Sequence, residues 1–137
     1  MTQDSTPDLG SSSFLVIEDN SVALKMAATI LSDLGAKDTA SASDGLEALA
    51  HLERADPAPG VLQVDLTMPG MGGVEFMREL GEQGYEGSAV LVSGADDATL
   101  KVAASLAKYR GAKVLGYVVK PVTHKALGDI LGGSLGD

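Results

Sequence analysis

The sequence predicts an α/β fold: a doubly wound (βα)5 sandwich, with a parallel five-stranded sheet between two layers of helices. Three observations carry this. Short apolar runs alternate five times with segments of helical periodicity, a pattern that demands a parallel sheet covered on both faces. The first run is continuously apolar, as strands buried on both faces are. The chain has 137 residues, 45% of them hydrophobic, which suits one domain with one packed core.

The elements follow in order. Residues 1–12 are rich in Ser, Thr, Pro and Gly and read as a disordered tail. Phe14, Leu15, Val16 and Ile17 form the first apolar run, stopped by Glu18, Asp19, Asn20 and Ser21. Asn20 or Ser21 caps a helix whose face is Val22, Met26, Ile30 and Leu34, widened by Ala23, Ala27 and Leu31. Gly35 then supplies a left-handed cap. Residues 37–42 are a weaker, more polar strand suited to a sheet edge. Ser43 caps a second helix with Leu46, Leu49 and Leu52 inward, and the Pro-rich stretch 56–60 breaks it.

Residues 61–64 are the third strand, delivering Asp65 to its end before Met68, Pro69 and Gly70 turn the chain. A short helix over 74–80 buries Phe76, Met77 and Leu80. Residues 88–92 are the fourth strand, closed by Ser93 and Gly94. Asp96 and Asp97 favour a helix start, with Leu100, Ala103, Ala104 and Ala107 inward and Lys101, Lys108 and Arg110 outward. Residues 114–119 are the fifth strand, ending at Lys120 and Pro121. Thr123 caps a last helix carrying Ala126, Leu127, Ile130 and Leu131. The folded domain is expected over 13–132, with a short tail at 133–137.

Right-handed crossovers restrict the topology. Strand order 2-1-3-4-5, the flavodoxin-like arrangement, makes the first and third strands neighbours at the switch point, where ligands bind beyond the carboxyl ends. That edge collects the polar strand ends: Glu18 and Asp19, Asp65, Ser93 and Lys120.

Composition narrows the function. Ten Lys and Arg against nineteen Asp and Glu give a formal net charge of −9, which argues against direct nucleic-acid binding. No apolar run is long enough for a membrane span, and the amino terminus lacks the basic and apolar regions of a signal peptide. The absence of Cys fits a reducing cytoplasm, where the protein is expected. His51 and His124 have no metal-ligand spacing and are expected to be exposed.

Three converging carboxylates repel one another unless a cation neutralises them, and Mg2+ prefers oxygen ligands. Lys120 adds a fixed positive charge. Asp65 is therefore expected to be a nucleophile that accepts a phosphoryl group and forms an acyl phosphate. Mg2+, Lys120 and the Ser93 hydroxyl are the right types to position and neutralise the group in transit.

Glu18-Asp19, the run Asp65-Leu66-Thr67-Met68-Pro69-Gly70-Met71-Gly72-Gly73, Ser93-Gly94 and Lys120-Pro121 resemble the receiver (CheY-like) domain of bacterial two-component response regulators. The resemblance covers about 13–132. It implies that Asp65 is the phosphoacceptor. Glu18, Asp19, Asp65 and the backbone carbonyl of Thr67 would hold Mg2+. Ser93 would be the switch hydroxyl, Lys120 the phosphoryl-contacting lysine, and the Lys120–Pro121 bond cis. Tyr117 stands where the family places a mobile aromatic, coupling phosphorylation to the surface of the fourth helix, fifth strand and last helix.

A sensor histidine kinase or histidine phosphotransfer protein is the implied donor. A downstream target, or an output domain of a longer regulator, is the implied recipient, and phosphorylation-dependent dimerisation is possible in such a module. No turnover of a separate substrate is expected. The interval from Ser93 to Lys120 is about one helical turn longer than in most receivers, resembling receivers that precede cyclic-di-GMP phosphodiesterase (EAL) domains. Two other readings of the same residues stay open. One is an Mg2+-dependent phosphatase, although Thr67 stands where it would need a second carboxylate. The other is an interaction module that keeps only the fold.

Overall fold

The computed structural model describes residues 12–55, 57–67, 73–94, 96–109, 111 and 113–131, apart from the side chain of Val74. Of the tail expected at 1–12, residues 1–11 lie outside the described residues, as do 133–137, the 68–72 loop and Arg110. Ser12 is tied to the fold, its carbonyl accepting the N–H of Lys37 at 3.1 Å.

Ten elements alternate along the chain: β1 (Ser13–Ile17), α1 (Ser21–Asp33), β2 (Asp38–Ala42), α2 (Gly45–Arg54), β3 (Val61–Asp65), α3 (Gly73–Glu82), β4 (Ser88–Ser93), α4 (Asp97–Tyr109), β5 (Lys113–Val119) and α5 (His124–Leu131). The strands form one parallel sheet in the order β2-β1-β3-β4-β5. This is the flavodoxin-like order expected from the strand ends.

Side chains of a strand alternate between faces, and here each face is buried by its own helices. Phe14, Val16, Val61, Val90, Val92 and Val118 pack with Ala27, Ile30, Leu31, Leu127 and Leu131 of α1 and α5. Leu15, Ile17, Leu62, Val64, Ala89 and Leu91 pack with α2, α3 and α4 through Ala48, Phe76, Met77, Leu80, Ala104 and Ala107. A fully buried Leu or Ile contributes roughly 1.5–3 kcal/mol, so Leu127 and Leu131 anchor the short α5, with Ala126 and Ile130 packed beside them.

The caps follow local chemistry. Asn20 accepts the Ala23 N–H at 2.9 Å and Thr123 accepts that of Ala126 at 3.1 Å. Asp96 accepts the Thr99 N–H at 2.8 Å. Gly35 ends α1 with a φ of 100°, a backbone state that only glycine adopts without strain. At α2 the cap is Asp44, not Ser43. Asp44 accepts the Glu47 N–H at 2.8 Å while Glu47 reaches back to the Ser43 N–H at 2.6 Å, a reciprocal capping box.

Two helix faces differ from expectation. Val22 and Met26 are 66% and 52% exposed, and α1 buries Ala27, Ile30 and Leu31 instead. Leu46 is 66% exposed while Gly45 and Ala48 of α2 are buried. Small residues let these helices approach the sheet closely and turn the larger side chains to the flank. The expected inward face of α4 is buried as read.

One irregularity positions the far edge. Ala89 pairs with Val114, but the next residue, Val90, pairs with Gly116. Leu115 is therefore an extra residue in β5, a β-bulge. Past the bulge the alternation is reset, so Val114 and Tyr117 both face the α2–α4 side.

Candidate functional site

Three strands end in acids or bases because each apolar run stops at the same edge of the sheet. Phe14, Val16 and Glu18 share one parity along β1 and its extension. Val61, Gln63 and Asp65 share the same parity along β3. β1 and β3 are neighbours in register, Ile17 opposite Val64, so Glu18 and Asp65 emerge side by side. Asp19 follows into solvent. Oxygens of Glu18, Asp19 and Asp65 lie within 4.8 Å of one another.

Lys120 arrives from β5. Its backbone N–H donates to the Ser93 carbonyl at 2.8 Å, which fixes where the side chain starts. Its ammonium then bridges Glu18 Oε1 at 2.9 Å and Asp65 Oδ2 at 3.2 Å. The Lys120–Pro121 bond is cis, as the resemblance implied.

Both key carboxylates are shielded, Glu18 at 6% and Asp65 at 3% exposure. Burial pushes the Glu18 carboxyl above its ordinary value. The Lys120 hydrogen bond and the Asn20 N–H, which donates to Oε2 at 3.2 Å, oppose that shift, and the charge of Asp65 adds to it. Burial works against the Lys120 ammonium, but the hydrogen bonds it donates to Glu18 and Asp65 outweigh it and the ammonium is held above its usual range.

Asp65 Oδ1 accepts the backbone N–H of Thr67 at 2.9 Å. The Thr67 and Ser93 hydroxyls lie 3.2 Å apart. Tyr117 is half-buried on β5, with its phenol pushed up by burial and by the nearby Asp97 carboxylate of α4. Glu18, Asp19, Asp65, Thr67, Ser93 and Lys120 thus gather at one edge, and Tyr117 stands beside it on the α4 side.

The donor set suits a hard divalent cation. Three carboxylates against one ammonium leave a formal double negative charge. Ligands of one Mg2+ sit at about 2.1 Å from it, so opposite ligands are about 4.2 Å apart. Neighbouring ligands of such an ion are only about 3.0 Å apart, so the carboxylate oxygens, within 4.8 Å of one another, would draw together around it, and the exposed Asp19 side leaves room for the waters this ion retains.

Sequence reasoning missed two contributors. The Asn20 backbone N–H orients Glu18, a role no side-chain motif could announce. Gln63, in the middle of β3, is 5% exposed and its Oε1 has no hydrogen-bond partner among the described residues. Such an orphaned amide oxygen costs about 1–3 kcal/mol. The signal was visible as a lone amide inside an apolar run. His124, expected to be exposed, is so and pairs with Asp33 at 3.0 Å.

A parallel α/β sandwich with an acidic cluster on its central strands and a lysine from its edge strand β5 belongs to the flavodoxin-like class. The chain is a member of the response regulator receiver domain family, whose model matches residues 14–131. It is 30% identical over 114 residues to the chemotaxis protein CheY-3 of Vibrio cholerae, covering 82% of this chain and 83% of that one. It is 37% identical over 92 residues to protein-glutamate methylesterase/protein-glutamine glutaminase 5 of Myxococcus xanthus; the match covers 66% of this chain but only 26% of that longer protein. A receiver domain structure from Clostridium thermocellum superposes with a TM-score of 0.75 at 26% identity, covering 91% of this chain and 94% of that one. The family binds Mg2+ at an acidic pocket, and the Glu18, Asp19 and Asp65 cluster is the acidic group here. No described helix is long and apolar enough to cross a membrane.

Proposed function

We propose that this chain is a phosphoacceptor in a two-component phosphorelay, with Asp65 receiving the phosphoryl group from a histidine kinase or histidine phosphotransfer protein. The observation that supports it most is the placement of Asp65. It is a buried carboxylate at a strand end, clustered with two acids and met by an ammonium at 3.2 Å.

A carboxylate oxygen of Asp65 attacks the phosphorus of the phosphohistidine. The new P–O bond forms as the P–N bond breaks, and the imidazole nitrogen keeps the bonding electrons. Glu18, Asp19, Asp65 and the Thr67 carbonyl would hold Mg2+, which would neutralise charge on the phosphoryl oxygens. Lys120 adds positive charge at Oδ2 of Asp65 and keeps Glu18 in place. The Thr67 N–H holds one oxygen of Asp65 and so fixes the plane of the carboxylate.

Ser93 is the switch hydroxyl. To contact a phosphoryl oxygen it must leave the Thr67 hydroxyl, 3.2 Å away. Movement of Ser93 makes room for Tyr117 to turn inward, away from Asp97, and this changes the face formed by α4, β5 and α5. That face addresses a downstream target, an output domain of a longer regulator or a second phosphorylated copy. The setting is cytoplasmic, and the receiver, at 13–132 with tails on either side, catalyses only its own modification.

Acetyl phosphate with Mg2+ tests the reading. Intact mass is expected to show one added phosphoryl group on the native chain and none on Asp65→Asn. Labelling that survives this substitution overturns the assignment.

A further inference from the structure

At the amino edge of the sheet, the edge away from Asp65, a pocket of about 440 Å3 opens between the ends of α2 and α3. Leu52 and Glu53 line it from the last turn of α2, Ala58 from the stretch before β3, and Leu80, Tyr85 and Glu86 from the end of α3 and the turn into β4. Its walls are tied together. The Tyr85 hydroxyl donates to the Pro59 carbonyl at 2.6 Å, and the Tyr85 N–H donates to the Leu80 carbonyl at 3.0 Å. The volume falls within the range of small-molecule sites, which are largely pre-formed.

Leu80 is buried, Leu52 and Tyr85 are half-buried, and Glu53 and Glu86 are exposed. The pocket thus joins apolar surface to two accessible carboxylates. Among the described residues no ammonium or guanidinium pairs with either carboxylate. Lys113 gives its ammonium to the Glu86 backbone carbonyl instead, at 3.0 Å, and Arg54, at the end of α2, does not line the pocket. Both helices end here, and the carbonyl end of a helix carries partial negative charge. α3 has no base in its last turn to offset it and carries Glu79 and Glu82 there. Acids at that end of a helix cost stability, which a bound cation would restore. The Tyr85 ring adds an aromatic surface of the kind that attracts organic cations.

We propose that this pocket binds a small organic cation, an amidinium or guanidinium on a flat apolar body, with Glu53 and Glu86 taking the charge and Leu52, Leu80 and Tyr85 the body. The site lies at the opposite edge of the sheet from phosphoryl transfer, and its test does not depend on it.

Benzamidine is a suitable probe: a flat ring bearing an amidinium. Benzamide has nearly the same shape without the charge. Titration of each into the whole isotope-labelled, unphosphorylated chain is followed by nuclear magnetic resonance. Benzamidine is expected to shift the backbone amide signals of Glu53, Tyr85 and Glu86 and the methyl signals of Leu52 and Leu80. It is expected to bind roughly tenfold more tightly than benzamide, equivalent to about 1.4 kcal/mol. The double variant Glu53→Gln, Glu86→Gln should abolish that preference. Ala58→Phe, an exposed position whose new ring fills the space, should abolish binding of both probes. Equal affinity for the two probes, a preference that survives the double variant, or binding that persists unchanged in Ala58→Phe overturns the proposal. So do shifts centred on Glu18, Asp19 and Asp65, which place the cation in the acidic cluster instead.

Discussion

Among the described residues, Lys120 is the ammonium that meets two buried carboxylates, at 2.9 Å from Glu18 and 3.2 Å from Asp65. Replacing it with Met leaves those like charges facing each other. In chelator, Lys120→Met is expected to lose about 1–3 kcal/mol of stability in urea titration, less than a fully buried pair because the lysine is partly solvated. Added Mg2+ should restore part of the loss by supplying the missing positive charge. The paired hydroxyls of Thr67 and Ser93 give a second expectation. Thr67→Val keeps the shape and removes the hydrogen bond, worth about 0.5–1.5 kcal/mol. If Ser93 must leave Thr67 to switch, the acetyl phosphate labelling rate of this variant should rise about two- to twelvefold. The polar side chains of the site were legible in the sequence because each stands directly after an apolar run. Gln63 was missed, because an amide inside an apolar run carries no message until its burial and its lack of a partner are known.

Among the elements, the turn from α3 into β4 shows how a loop is locked. The Tyr85 hydroxyl donates to the Pro59 carbonyl at 2.6 Å, and the Ser88 N–H donates to the Gly60 carbonyl at 2.9 Å. A Cβ on Gly87 would lie 2.7 Å from that Gly60 oxygen and would strike the Tyr85 ring. Gly87→Ala is therefore expected to destabilise the fold by about 1–3 kcal/mol, read by thermal melting. Burial pushes the Tyr85 phenol well above its ordinary value. A group whose folded pKa is raised contributes stability that is complete below its unfolded pKa, about 10 for tyrosine, and is lost as pH rises beyond it. Urea titrations at pH about 9 and about 11 should show this alkaline loss, and Tyr85→Phe should reduce it. Helix existence was plain from periodicity, but helix orientation was not. The stripe Val22, Met26, Ile30 and the stripe Ala27, Ile30, Leu31 are both consistent with one sequence. Which one faces the sheet depends on how closely the helix can approach, a tertiary property.

For the molecule as a whole, strands buried on both faces could not be mistaken for solvated ones, but periodicity did not fix their order; 2-1-3-4-5 was chosen because it sets the first and third strand ends side by side at the switch point. The bulge in β5 was not anticipated, although Gly116 inside an apolar run is the usual local sign of one. Cation binding should stabilise the entire fold, since the cluster exists only when β1 and β3 are paired. At Mg2+ ten times its dissociation constant the expected gain is about 1.4 kcal/mol. It should be measurable as a rise in melting temperature and weakened in Asp19→Asn, a substitution in solvent that leaves the core intact.

The bulge at Leu115 and the Lys120–Ser93 backbone bond together have a consequence for how such a protein can vary. The ammonium's origin is set by a bond to the neighbouring strand at 2.8 Å, not by counting residues back to α4. The bulge absorbs an odd residue upstream of that bond. Lengthening or shortening the stretch between α4 and β5 therefore leaves the lysine where it is, as slack in a rope leaves the knot untouched. Helix length at the output face is free to drift or to be engineered, while the acidic centre stays in tune.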